Sequence, residues 1–501
     1  MLKLFDASPR SFRVFFYAAL ALSLAVLLVS LHVQPPGPFR QTQTAITSYW
    51  MLKEGYHWAY LTPVVGVPWS VPFEFPLYQA MVAEFSRLST IDLDASGRIV
   101  SWVFTLLTLV PLIACLRLAG LDRRAEPLVA AFYLITPVYL FWGSDFMMES
   151  VALFCSIAFL YYALRCLLLP AKFGSLGLAL VFLFVALLQK STTVLPLLPP
   201  LFCLFAWRWY KGERPGLVPL LLWPLVVVAI GIYSIWVHFT DVIKMQSIIG
   251  AYLTSKALFT WNFGTLRQRV SWDLWGNVLL MRVLMPYLLC YPVWLMFRRK
   301  VLQADPRLKA AIIFLAAALV SPLLVFTNLH ICHVYYQFSL IVYASTAVAL
   351  VTAKMALEPA IARDARLPGL VFASLLLFCL APVKDRFIAL DSDKDRTRSI
   401  AAYLDEATPA DLPIIVFGYD WSSELAYYSG RKAATVPDWD TLVKQATDNP
   451  RAFVGVMPSA YVVCPNSQMP YVIKKVRSYG YRMGRVIYGC QVFVGGWMVH
   501  S

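Results

Sequence analysis

The stretch PPGPFRQTQTAITSYWMLKEGYHWAYLTPVVGVPWSVPFEFPLYQA (35–80) lies between two long apolar runs, 12–33 and 99–119. It is polar and rich in proline and aromatic residues. Irregular backbone of this kind cannot satisfy its N–H and C=O groups in hydrocarbon, so it belongs outside the bilayer core. Within it, TAITSYWMLKEG (44–55) has the pattern of an amphipathic helix lying on the bilayer, ended by Gly55. Tyr49, Trp50, Tyr56, Trp58, Tyr60 and Trp69 suit the headgroup region.

The rest of the composition agrees. Of 501 residues, 59% are hydrophobic and 14% charged, against about a quarter charged in soluble domains. The chain reads as a multi-pass α-helical membrane protein. The net charge of +15 comes without a basic tract interleaved with aromatics, so it points to cytoplasmic loops and not to nucleic acid. Apolar segments at 12–33, 99–119, 127–142, 148–169, 174–189, 193–207, 216–237, 275–297, 309–327, 334–353 and 368–383 give about eleven spans, of which 174–189 and 193–207 are short enough for half-buried hairpins. If each crosses once, the basic clusters all fall on one side: Lys3, Arg10 and Arg13; Arg117, Arg123 and Arg124; Arg165 and Lys172; Arg208, Lys211 and Arg214; Arg298 to Lys300 with Arg307 and Lys309; and Lys354, Arg363 and Arg366. The positive-inside rule makes that side the cytoplasm, with the N-terminus inside and the tail outside. The first run lacks an A-x-A cleavage site and reads as an uncleaved anchor.

Three outer segments follow: 34–98, 238–274 and the tail, 384–501. Two domains are expected: a transmembrane part, 1–383, with interfacial helices in its first outer loop, and a small extracytoplasmic α/β domain, 384–501. The tail offers a helix over 394–407, a buried strand PIIVFG (413–418), a helix in WSSELAYYS, and strands in FVGVM and VIYGCQVFVGG. DSDKD (391–395) has the acids of a calcium loop, but Arg396 and Ala402 stand where such a loop needs Gly and Glu. Cys115, Cys155, Cys166, Cys203, Cys290, Cys332 and Cys379 read as small hydrophobes, whereas Cys464 and Cys490 are both placed to oxidise outside the cell, with pairing left open by the sequence. No cysteine spacing suits zinc.

The first outer loop resembles that of the GT-C glycosyltransferases that use polyprenyl-phosphate sugars, a group including the aminoarabinose transferases of lipid A and the protein O-mannosyltransferases. Pro36, Arg40, Gly55, Pro63, Gly66 and Pro76-Leu77 match its pattern. Gly37 and Pro38 occupy the places of its two acids, and Phe75 that of its lysine. In the family the loop acid serves as base or metal ligand, so Glu74 is the nearest substitute here, and a divalent metal ion is left open as a cofactor. GSDFMMESVALF (143–154) is similar to the family's second acid-bearing turn, through Glu149 and Asp145. Four residues apart, the two would share a helix face, which would raise the pKa of one of them so that it could hold a proton near neutrality. QKSTTVLPLLP (189–199) resembles a family segment that brings Lys190 to the lipid phosphate. HICHVYYQFSL (330–340) resembles its late His-Tyr-Tyr turn, through His333, Tyr335 and Tyr336, with His330 three residues before.

Other ionisable groups are read on their own terms. Arg267 and Arg269 suit phosphate. Arg282, inside a span, points to a cavity or a partner acid. Asp92 and Asp94 form a DLD motif known from nucleotide-sugar enzymes, whose place in the cytoplasm does not suit an outer loop. No phosphate-binding P-loop and no nucleophile elbow occur.

The resemblance implies a transferase on the outer face of a bacterial inner membrane. It would move a sugar from a polyprenyl phosphate to a glycan, lipopolysaccharide or protein acceptor. Glu149, Asp145 or Glu74 would take the acceptor's proton. Arg40, Lys190, Arg267, Arg269, His333, Tyr335 and Tyr336 would hold the donor phosphate, and 35–80 would lie as a lid over the reaction chamber. Two rival classes are a non-catalytic binder of lipid-linked glycans and a transporter or flippase.

Overall fold

The computed structural model describes residues 9–33, 39–170, 172–288, 305–357, 367–383 and 392–495. They divide into two compact units. The first takes in residues 1–33, 98–234 and 259–384, and the second 34–97, 235–258 and 385–501.

The first unit is helical. Among the described residues of the chain, six helices are long and apolar enough to cross a membrane: Arg10–Leu31, Leu93–Leu118, Glu149–Leu168, Phe173–Tyr210, Leu217–Lys244 and Pro306–Val325. Ile341–Leu357 and Pro368–Leu380 are shorter apolar helices. The expected run 127–142 is two short helices, Glu126–Ile135 and Pro137–Trp142. Pro137 disfavours helical backbone at the residue before it, and Thr136 takes ψ 129. All ten residues of Glu126–Ile135 are buried, which makes this segment the centre of the unit. Around it pack Arg10–Val33, Ile341–Leu357 and Leu367–Val383.

The 38 residues Phe173–Tyr210 do not run straight. Extended as one helix they would carry Arg208 ~50 Å from Phe173. Instead Arg208 Nη1 donates to the Leu167 carbonyl at 2.7 Å, just before the stretch begins. The two short apolar runs are therefore the limbs of a hairpin. Its bend begins at Lys190, whose backbone (φ −165, ψ 90) is extended inside the helix, and continues through the 3-10 turn Leu195–Leu197.

These contacts define two ends of the unit. At one end stand Leu167 and Arg208. The helix Leu93–Leu107 begins at the opposite end, because Ser101 Oγ donates to the Met147 carbonyl at 3.0 Å. It continues as Leu109–Leu118, packed along Glu149–Leu168, so Arg117 comes to the Arg208 end. Arg307 joins that end through the Gly120 carbonyl at 3.4 Å, and Lys354 through Asp305 at 3.7 Å. The basic clusters at Arg117, Arg208, Arg307 and Lys354 thus share one end. Lys3, Arg298 to Lys300, Arg363, Arg366 and Cys290 lie outside the described residues.

The second unit is an α/β structure. Its sheet runs β2-β1-β3-β5-β4, with β1 Ile414–Phe417, β2 Ala433–Val436, β3 Ala460–Val463, β4 Tyr481–Ile487 and β5 Cys490–Gly495. β2, β1 and β3 are parallel, and β5 is antiparallel to both of its neighbours. The expected helix over 394–407 is Ser392–Ala407, and the side chains of 391–395 lie outside the described residues. The strand expected in FVGVM is instead helix Pro450–Val454, for which Pro450 is well suited at the first turn; the strand follows at Ala460. Tyr488 and Gly489, both at positive φ, turn β4 into β5, and Cys464 and Cys490 are joined in a disulfide.

The first outer loop is built into this unit. Helix Arg40–Glu54 ends at Gly55 (φ 88), whose N–H returns to the Met51 carbonyl at 3.0 Å. Ile46 and Trp50, expected to face the bilayer, are buried instead in a core shared with Ile414, Val416 and Ala434. Beyond the helix, 63–66 runs along the open edge of β2. Thr435 N donates to the Val64 carbonyl at 2.7 Å, and Val65 bridges Ala434 antiparallel. Ile249 and Leu253, from the second outer segment, join the same core. The segment 35–80 is thus a structural layer of the α/β unit; 35–38 lie outside the described residues.

Candidate active site

Glu149 is the first residue of helix Glu149–Leu168, and Lys190 stands at the break in the neighbouring hairpin. They form an ion pair with side chains only 6% and 3% exposed. Each charge compensates the other in a place where an isolated one would cost several kcal/mol (about). Lys190 Nζ also lies 4.3 Å from the Tyr336 ring centre and 5.1 Å from that of Tyr335. Both rings present their negative faces to the cation. Glu149 Oε2 is buried and has no hydrogen-bond partner in the protein.

The His-Tyr-Tyr turn closes this cluster. Helix Thr327–Cys332 ends before His333, which takes extended backbone (φ −125, ψ 120). His330 and His333 therefore do not share a helix face. The His333 ring stacks on Tyr335 at 5.2 Å and meets Trp261 at 6.0 Å. His330 is buried, 6.0 Å from Tyr336 between ring centres. Burial, and secondarily the charge of Lys190, push its pKa down to about 3, so it is neutral near pH 7.

Asp145 departs from expectation. It sits in the turn between Trp142 and Met148, before the helix starts, with its N–H on the Trp142 carbonyl at 3.2 Å. Hence it does not share a helix face with Glu149. Its partner is Arg98, 3.3 Å away, and the two side chains are 0% and 1% exposed. Arg98 also donates to the Ser144 carbonyl at 3.5 Å. Sequence reasoning missed Arg98, because it reads as the flank of an apolar run. The available signal was an arginine one residue from hydrocarbon-forming sequence.

The second unit holds Arg40 and Glu74, which pair with each other at 16% and 21% side-chain exposure. Arg40 Nη1 also donates to Gln43 Oε1 at 3.2 Å. Tyr60 Oη donates to the Glu74 carbonyl at 2.8 Å and accepts from Phe73 N at 2.8 Å. Burial, with Glu74 adding to it, raises the Tyr60 pKa, so this phenol stays protonated. Lys244, 4.4 Å from the Phe73 ring centre and paired with Asp241 at 3.4 Å, is a further buried cation that the sequence did not single out.

The remaining cations are less concentrated. Arg269 donates to the Leu324 and Phe263 carbonyls at 2.9 and 3.1 Å, at the C-terminal ends of two helices, whereas Arg267 is exposed. Arg282, expected to face a cavity or an acid, is exposed and donates to the Ile331 carbonyl at 3.1 Å. The DLD motif has structural work: Asp92 accepts from the N–H groups of Asp94 and Ala95, and Asp94 accepts from Tyr427. Among the described residues no group of three or more His, Cys, Asp or Glu side chains gathers where it could hold a metal ion. The pairing of Glu74 and Asp145 with arginines likewise does not suit a metal.

No protein-family model matches the chain, and no curated protein matches it in sequence. Solved structures do match. The crystal structure of ArnT from Cupriavidus metallidurans bound to undecaprenyl phosphate is similar with TM-score 0.63 at 15% identity, over 95% of this chain and 97% of that one. Its apo state gives 0.62 at 14% identity over the same shares. AglB from Archaeoglobus fulgidus, in complex with an inhibitory peptide and a dolichol-phosphate, gives 0.48 at 13% identity over 96% and 75%, too low a score to add to the comparison. The chain thus shares the fold of ArnT over nearly its whole length.

Proposed function

We propose that the protein is a membrane glycosyltransferase that moves a sugar from a polyprenyl-phosphate donor to a hydroxyl acceptor on the outer face of a bacterial inner membrane. The observation that carries this reading is the Glu149–Lys190 pair under Tyr335 and Tyr336, at the end of the helical unit opposite the basic loops. A buried carboxylate and ammonium at the mouth of a bundle are costly, and a site that handles an anionic headgroup gives both a use. The ArnT neighbour bound to undecaprenyl phosphate supports the choice of donor. The topology keeps about eleven crossings, the N-terminus in the cytoplasm and the tail in the periplasm.

In this reading the acceptor oxygen attacks the anomeric carbon. The bond from that carbon to the phosphate oxygen breaks, and polyprenyl phosphate leaves with the electron pair. Lys190 stabilises the charge gathering on the phosphate, with His333, Tyr335 and Tyr336 fixing its orientation. Glu149 takes the acceptor's proton. Asp145, held by Arg98, positions the turn from which Glu149 springs. Arg40 and Glu74 order the first outer loop, and Arg267 and Arg269 serve the donor only from the periphery. A glycan, lipopolysaccharide or protein are the acceptor classes.

A second reading, a binder of lipid-linked glycans without transfer, is favoured by the pairing of all three candidate carboxylates with cations. Mass spectrometry of envelope glycans and lipopolysaccharide from a deletion strain, complemented with wild type or Glu149→Gln at equal membrane levels, separates the two. Transfer predicts a missing sugar that wild type restores and the variant does not. A binder predicts restoration by both.

A further inference from the structure

We infer that Glu149 is an internal counterion which the donor phosphate displaces from Lys190, so that the carboxylate is released as a base only when donor is bound. This deepens the proposed function and rests on Lys190 being a donor-phosphate ligand.

Three features point to exchange. Lys190 is 3% exposed, so its charge needs an anion at close range in every state. Glu149 meets that need with one oxygen, while its second, Oε2, is buried without a hydrogen bond. A static structural pair would be expected to satisfy both oxygens, as the bidentate Arg117–Glu126 pair does, with contacts of 2.7 and 2.6 Å. The Glu149 arrangement leaves one acceptor unused in a setting where an orphaned polar atom costs about 1–3 kcal/mol.

The cation, by contrast, is fixed from a second side. Tyr335 and Tyr336 hold it by their ring faces, and the extended backbone of Lys190 lifts the side chain out of the helical path. The ammonium can therefore keep its place while its anion changes. A sugar phosphodiester carries one negative charge, the same as Glu149. The other ionisable groups facing the pair do not disturb this balance. His330 is neutral near pH 7, Tyr335 and Tyr336 are phenols, His333 stacks on Tyr335, and Asp145 is matched by Arg98.

Charge is conserved through the cycle. Donor, Glu149 and Lys190 together carry one negative charge. After transfer the polyprenyl phosphate is a dianion, Glu149 holds the acceptor's proton, and the total is unchanged. Released from the ammonium, the Glu149 carboxylate is free to take the acceptor hydroxyl's proton. The exchange thus couples donor arrival to the availability of the base, and keeps Glu149 from acting while the site is empty.

Binding of undecaprenyl phosphate to the full-length protein in nanodiscs tests this. Glu149→Gln, which removes the competitor and keeps the shape, is expected to bind roughly tenfold or more tightly than wild type, and Lys190→Met to bind more weakly. If Glu149→Gln binds no tighter while Lys190→Met is weakened, Lys190 is a phosphate ligand and the exchange is refuted. If neither variant alters affinity, the role of Lys190 in the proposed function fails as well. Glu149→Asp guards against misfolding of the glutamine variant, because it keeps the charge and retracts it by one methylene. Its affinity is expected to rise above wild type, and an affinity at or below wild type contradicts the exchange.

Discussion

The two units each hold a carboxylate paired with a cation, and the pairs differ in kind. Arg40–Glu74 is partly open to solvent and sits in a mesh with Gln43 and Tyr60. Glu149–Lys190 is closed off, caged by aromatic rings, and leaves one carboxylate oxygen unused. The open pair has the character of a loop fastener, since water already screens it. The closed pair gains nothing comparable from its setting, because removing two charges from water is opposed by desolvation. The difference supports placing the proposed chemistry at the pair whose burial has no structural explanation.

The sharpest break in the comparison is expected in transfer itself. Glu149→Gln and Lys190→Met should each lower sugar transfer in membrane vesicles by roughly 10²–10⁴-fold, the range for loss of a general base or of an electrostatic stabiliser. Glu74→Gln should lower it less than about tenfold, as befits a screened pair. Equal losses at both sites would erase the distinction between them.

Stability should put its largest loss at a different pair. Asp145→Asn strands Arg98 at 1% exposure, and breaking so buried a pair is expected to cost about 3–5 kcal/mol, read as a lowered unfolding temperature in detergent. Glu74→Gln should cost no more than about 1 kcal/mol. A neutral Asp145→Asn would mean that the turn before Glu149 holds itself without the arginine.

The most conditional effect concerns His330, because it shows only at acid pH. Its folded pKa of about 3 lies below its ordinary 6.5, so the unfolded chain binds the proton first. Its contribution is complete above pH 6.5 and declines as pH falls toward 3, by up to about 1.4 kcal/mol per unit. His330→Gln should flatten the loss of stability between pH 6 and 4 without changing stability at pH 8. An unchanged pH profile would place a charged histidine there.

Much of this was legible in the sequence because it depends on local rules. The helix ending at Gly55, the hairpin strands around Tyr488-Gly489 and the buried strand before Gly418 follow from turn chemistry and apolar period. The motif turns carrying Glu149, Lys190 and Tyr336 were visible as ionisable residues at the mouths of apolar runs. Other features depend on contacts distant in sequence. An amphipathic helix looks the same whether Trp50 meets lipid or a protein core, so the incorporation of the first loop into the α/β unit was hidden. The spacing of Asp145 and Glu149 suggested one helix face, but the turn from Gly143 to Met148 delays the helix and gives Asp145 to an arginine 47 residues away. FVGVM has strand composition, yet Pro450 starts a helix there.

The central claim is that Lys190, with the tyrosines around it, receives the donor phosphate. The most direct measurement is a cryo-EM structure of the full-length protein with undecaprenyl phosphate in a lipid nanodisc. The account predicts phosphate oxygen within about 2.7–3.2 Å of Lys190 Nζ, with Glu149 drawn away from the ammonium. Phosphate density bound elsewhere, with the Glu149–Lys190 pair intact, would contradict it.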